Sequence, residues 1–191
     1  MAHQGPRVIE LYEGAVQQML PALAAVKADQ LGASTPCTEW TVQNLINHNL
    51  KVPEFVCGLI QGSITVNPME VGDPLPAQGA RDAFVAGTAR GLDLLESIDN
   101  LDRIISTHFG PMPIADFLLF PILDLVLHKW DLAKGTGQNT SMDSSLAEAC
   151  FGAMQMGAET GRQAGTFGAK ISVAVSANIQ DKLLALSGRQ P

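Results

Sequence analysis

The chain has 191 residues, enough for one domain to bury a continuous core without disulfides or a structural cofactor to hold it together. Hydrophobic residues make up 46% and charged residues 16%, a globular composition with too few charges for disorder. A net charge of -7, with 12 Lys and Arg spread along the chain, argues against a nucleic-acid partner and against a basic membrane-binding face.

The N-terminal MAHQGPRVIELYEG lacks the basic segment and apolar core of a signal peptide. The longest apolar run, DFLLFPILDLVLHKW, is interrupted by Asp124 and too short to span a bilayer. A soluble, cytoplasmic protein of one domain, residues 1–191, is expected.

Residues 6–29 show apolar spacing of three and four through Val8, Leu11, Val16, Leu20, Leu23 and Val26, which predicts a helix with Pro21 as a kink point. LGASTPCTEW breaks it, and Thr41 can cap a second helix. The inward stripe of that helix is Val42, Leu45, His48, Val52 and Phe55, so His48 is expected to face the core. Residues 62–77 carry three prolines and two glycines and read as a long loop of the kind that borders binding sites.

A third helix is predicted over 79–99, where Gly87 and Gly91 permit close approach, either within the chain or between two copies as a homodimer. DNLDRIISTHFGPMP reads as an irregular connection. A fourth helix runs from near Pro113 to Thr136, kinked at Pro121 and ended by Gly135 and Gly137. A fifth, 143–163, starts at the capping candidate Asp143. AKISVAVSAN alternates in a strand-like way, and IQDKLLALSG reads as a last short helix. The pattern predicts an all-α bundle with an additional short helix and an extended C-terminal tail.

Cys37, Cys57 and Cys150 are odd in number, widely spaced and without a CxxC pair, so neither a disulfide scaffold nor a thiolate zinc site is expected, and each reads as a small buried hydrophobe. Trp40 and Trp130 read as core or pocket-wall residues. His108 falls in a connecting segment and His3 in a terminus.

The fourth helix poses the chemical question. Asp124 and His128, four residues apart, share a face with Phe117, Phe120 and Leu127, and an ionised carboxylate in such a stripe needs compensation. A helix-surface pair, a buried hydrogen bond and a metal ion all satisfy the spacing. An inward His48 on another helix adds a second imidazole, and two imidazoles with one carboxylate suit a divalent first-row ion with open positions. Asp131 either orients a ligating histidine or bonds a neighbouring helix end.

STPCTEWTVQNLINHNL resembles the TPCxxWxVxxLxxH segment of the DinB-like helical proteins related to mycothiol-dependent maleylpyruvate isomerase. DLVLHKWDLAKGTGQ resembles their second signature, a carboxylate four residues before the histidine of HxWDLAxxTG, and the tail FGAKISVAVSANIQDKLLALSGRQP is similar to the ending of the short, single-domain members. The resemblance implies an up-and-down four-helix core with a divalent metal, zinc first and nickel or manganese as the other choices, held by His48, Asp124 and His128. The family carboxylate is a glutamate in the isomerase, and Asp124 is one methylene shorter.

Two functions stay open. One is a metal-dependent thiol transferase or isomerase, with a low-molecular-weight thiol of the mycothiol type as cosubstrate and a small electrophile as substrate. The other is a non-catalytic, metal-stabilised module that binds or senses a small molecule. No catalytic base stands out; Asp131 and His108 are the nearest candidates.

Overall fold

The computed structural model describes residues 5–107 and 110–191, so His3 and His108 lie outside the described residues. Two compact units divide the chain, one ending at Asn139 and the other running Thr140–Pro191. Among the described residues no helix is long and apolar enough to cross a membrane.

The first unit is built on four long helices. Helix α1 (Gly5–Ala24) packs on α3 (Ala80–Glu96) and α5 (Leu119–Thr136), and α2 (Val42–Gln61) packs on the same two. The three-and-four spacing of α1 places Val8, Tyr12, Ala15, Met19 and Leu23 in the core. Helix α1 stops at Ala24, short of the expected end, and a 3-10 turn covers Ala28–Gln30. The Gln30 side chain explains the change, since it accepts from the Lys27 N–H at 2.9 Å and donates to the Thr136 carbonyl at 3.0 Å.

Thr41 and Asn44 close a reciprocal cap at the start of α2: the Asn44 N–H donates to Thr41 Oγ1 and the Thr41 N–H to Asn44 Oδ1. Leu45, His48 and Val52 are buried as the spacing predicts, whereas Phe55 is half-buried and Val56 takes the inward position beside it. Gly87 and Gly91 are used inside the chain: a Cβ at Gly87 would meet Pro53, and one at Gly91 would meet Tyr12 and Cys57, at ordinary contact distances.

The segment read as an irregular connection holds a two-stranded antiparallel pair, β1 (Ile104–Thr107) and β2 (Gly110–Pro113), with Ile104 opposite Pro113 and Thr107 opposite Gly110. Each strand is four residues long and only Ile105 is buried, so no period-two pattern announces it. The expected fourth helix is two pieces, α4 (Ile114–Phe117) and α5, separated at Leu118. Pro121 therefore falls in the first turn of α5, where a missing N–H costs nothing, rather than in a helix interior. Helix α5 ends on Gly137, whose φ of 69° is the left-handed conformation that glycine supplies most cheaply.

In the second unit, α6 (Ser144–Gln163) is capped by Asp143, whose Oδ1 accepts from the Ser145 and Leu146 N–H groups at 2.9 and 3.1 Å. It packs on α7 (Ile179–Leu186), and Cys150, Met154, Leu183 and Leu184 are buried. The alternating stretch before α7 is irregular rather than a strand: the Ile171 N–H bonds the Ala185 carbonyl at 2.9 Å, and Val175 is 95% exposed.

Candidate metal centre

Helix α2 presents His48, and α5 presents Asp124 and His128 one turn apart. The two oxygens of Asp124 each face one imidazole, Oδ2 at 2.9 Å from His48 Nε2 and Oδ1 at 3.2 Å from His128 Nε2. Ligand atoms of all three residues lie within 4.8 Å of one another. Both imidazoles are buried. The Asp124 side chain, read from sequence as part of a buried stripe, is instead 31% exposed, so the group faces an opening rather than a sealed core. Phe117 and Leu127 are buried as expected, while Phe120 is 38% exposed.

The outer nitrogens are braced. His48 Nδ1 lies 2.9 Å from the Pro68 carbonyl, which can only accept, so Nδ1 carries the proton. His128 Nδ1 lies 2.9 Å from Oδ2 of the fully buried Asp131. Each brace holds a ring orientation that aims Nε2 at Asp124, the arrangement a ligating histidine needs. Donor types, convergence and bracing thus fit a divalent ion. Asp131 orients a histidine, one of the two roles its sequence position allowed.

The long loop after α2 supplies the Pro68 brace and is tied back to that helix. Asn44 and Asn47 donate to the Val71 carbonyl at 3.0 and 2.9 Å, and Lys51 pairs with Asp73 at 2.6 Å. Loop 31–41 is held in a similar way. The Val42 and Gln43 N–H groups bond the Ala33 and Leu31 carbonyls, and Thr35 Oγ1 donates to the Trp40 carbonyl at 2.9 Å. This sets the Trp40 ring 4.8 Å from the His48 ring and 5.7 Å from the His128 ring, a wall over both imidazoles. Trp130 is buried, with Lys134 Nζ 5.0 Å from its ring centroid.

The same loop brings Cys37 to the site, which spacing did not reveal. Its Sγ is 3.3 Å from Asp131 Oδ2 and 3.8 Å from His128 Nδ1. Its place in the TPC phrase just before Trp40 was the available signal. Cys37 and Cys57 are half-buried rather than buried, and Cys150 alone is in the core.

Electrostatics follow from burial and convergence. Burial pushes the Asp124 carboxyl up, but the facing His128 and His48 outweigh it and hold it well below the usual carboxylate range. Burial pushes the His128 imidazole down, yet the Asp124 charge and hydrogen bonds to Asp124, Asp131 and Cys37 raise it well above its ordinary value.

Residues 12–133 match the mycothiol maleylpyruvate isomerase N-terminal domain, a span that contains Cys37, Trp40, His48, Asp124, His128 and Asp131. Two uncharacterised proteins of Mycobacterium tuberculosis, from strains CDC 1551 / Oshkosh and ATCC 25618 / H37Rv, are each 34% identical over 125 residues, and the aligned region covers 65% of this chain and 65% of each relative. Crystal structures of mycothiol-dependent maleylpyruvate isomerase share the fold. A histidine-to-alanine mutant gives a TM-score of 0.62 at 16% identity, and a second structure gives 0.51 at 15%, each covering 78% of this chain and 67% of the other. The chain belongs to the mycothiol maleylpyruvate isomerase N-terminal domain family.

Proposed function

We propose that His48, Asp124 and His128 hold a divalent ion, zinc first and nickel or manganese as alternatives, and that the protein is a metal-dependent thiol S-transferase or isomerase. Its cosubstrate is a low-molecular-weight thiol of the mycothiol type, and its substrate a small electrophile. The observation that carries this reading is the convergence of two braced imidazoles on the two oxygens of one partly exposed carboxylate. The family membership supports the thiol.

An ion bound there would lower the pKa of a thiol that reaches it and favour the nucleophilic thiolate. The chain's own residues do the rest. Asp131 and the Pro68 carbonyl hold the two rings in place, so little reorganisation accompanies binding. Trp40 covers both imidazoles, excludes water on that side and offers an apolar face to the substrate. The exposed edge of Asp124 marks the direction of entry. Free cysteines suit a reducing, cytoplasmic setting.

The test is turnover. Protein loaded with zinc, nickel or manganese is incubated with mycothiol and a panel of small electrophiles that includes maleylpyruvate, and adducts or isomers are followed by mass spectrometry. Metal-dependent product, absent with His48→Ala, is expected. Bound metal without turnover of any of them would favour the non-catalytic binding or sensing module instead.

A further inference from the structure

Cys37, His128 and Asp131 make a second donor triangle on the far side of the same imidazole, with Sγ to Oδ2 at 3.3 Å, Sγ to Nδ1 at 3.8 Å and Nδ1 to Oδ2 at 2.9 Å. Tetrahedral zinc, with a metal–sulfur bond of about 2.3 Å and metal–nitrogen or metal–oxygen bonds of about 2.0–2.1 Å, holds neighbouring donors roughly 3.3–3.6 Å apart. All three observed separations fall within about half an ångström of that spacing. The donor atoms lie within 4.8 Å of one another, Asp131 is fully buried, His128 is 6% exposed and Cys37 is half-buried, so the triangle is enclosed yet reachable from the cysteine side.

We infer that this triangle is a distinct site for a thiophilic d10 cation, of the cadmium or zinc kind, and that it competes with the His48, Asp124 and His128 group for one imidazole. Thiolate, imidazole and carboxylate together select such an ion over magnesium or manganese, which prefer oxygen donors. The proton balance is simple. Asp131 Oδ2 accepts from both the Cys37 thiol and the His128 Nδ1–H, and a dication takes the place of those two protons. A neutral imidazole bound through Nδ1 has its one proton on Nε2, facing Asp124, and so offers no lone pair to the first group. An ion on Nε2 conversely leaves the Nδ1 proton on Asp131. Simultaneous occupancy would require the ring to lose both protons, so a thiophilic ion at Cys37 acts as an antagonist of the first site.

The inference shares His128 with the proposed function but does not rest on it, and the test is made where the first group is disabled. One equivalent of cadmium chloride is added to His48→Ala and to His48→Ala/Cys37→Ser, and the ultraviolet sulfur-to-cadmium charge-transfer band is recorded, with circular dichroism to check folding. The band is expected in the single variant and lost in the double one. A band of equal strength in both, which would point to Cys57 or Cys150, or a band in neither, overturns the inference. If His48→Ala does not fold, the same pair is built on Asp124→Asn and read in the same way. None of these outcomes bears on whether the wild-type protein turns over a thiol, so the two readings fail separately.

Discussion

On α5, His128 and Asp131 are three residues apart and joined from Nδ1 to Oδ2 at 2.9 Å, with the Asp131 carboxylate fully removed from solvent. The Asp131 charge sits behind the ring whose Nε2 faces Asp124. Asp131→Asn keeps the size and an acceptor oxygen but removes that charge. Zinc affinity by isothermal titration calorimetry is expected to fall about 10–100-fold with the helical circular dichroism spectrum unchanged. Unaltered affinity would show that the brace does not tune the ring.

Asn47 is 3% exposed and its amide donates to the Val71 and Asp73 carbonyls of the loop after α2. Asn47→Ala removes both bonds, leaving the Val71 carbonyl with Asn44 and the Asp73 carbonyl with Gln43 as donors. Denaturant unfolding should show a loss of about 1–3 kcal/mol. Because the Pro68 carbonyl that orients His48 sits in that loop, zinc affinity should fall as well.

The C-terminal end of α5 lies against the loop that carries Cys37 and Trp40. A Cβ at Gly135 would be 3.0 Å from the Ser34 carbonyl oxygen and 3.3 Å from Thr35 Cγ2, and backbone cannot swing aside. Gly135→Ala is expected to destabilise by about 1–3 kcal/mol. Gly91→Ala is the control: its nearest neighbours, Tyr12 Oη and Cys57 Sγ, are 3.6 and 3.9 Å away, and helix propensity should make it neutral or stabilising by up to about 1 kcal/mol. Equal losses in the two variants would contradict the close approach.

Burial pushes the Cys150 thiol up to about 12. The folded chain therefore keeps a proton that the unfolded chain sheds from about pH 8.5. The contribution of Cys150 to stability is fully present below that pH and is lost as pH rises toward the folded value. Native Cys150 should resist iodoacetamide near about pH 8, as read by peptide mapping. Cys150→Ala should flatten the alkaline fall in stability by at most roughly 1.4 kcal/mol per pH unit.

Much of the first unit was legible because its helices carry regular stripes. The spacing of Leu45, His48 and Val52 put His48 in the core, and the four-residue interval between Asp124 and His128 put both on one face. What escaped depends on contacts distant in sequence. Cys37 lies 91 residues from His128, and only the folding back of loop 31–41 brings them together. The break at Leu118 and the four-residue strands are too short to show a period. Asp124 lies on the inward stripe, but periodicity does not say how near the opening a position falls, and its exposure had to come from the structure. The alternation in the tail promised a strand, yet alternation without a partner to pair with yields irregular chain.

The most direct test of the central claim is metal content by elemental mass spectrometry on untagged wild-type protein, Cys37→Ser, Cys37→Ser/His48→Ala and Cys37→Ser/His128→Ala, the Cys37→Ser change removing the second donor triangle. About one equivalent of divalent metal is expected in the wild type and in Cys37→Ser, with loss in both double variants. Wild-type protein that takes up no zinc, nickel or manganese on reconstitution, or double variants that keep the wild-type equivalent, would contradict the assignment of His48, Asp124 and His128 as ligands.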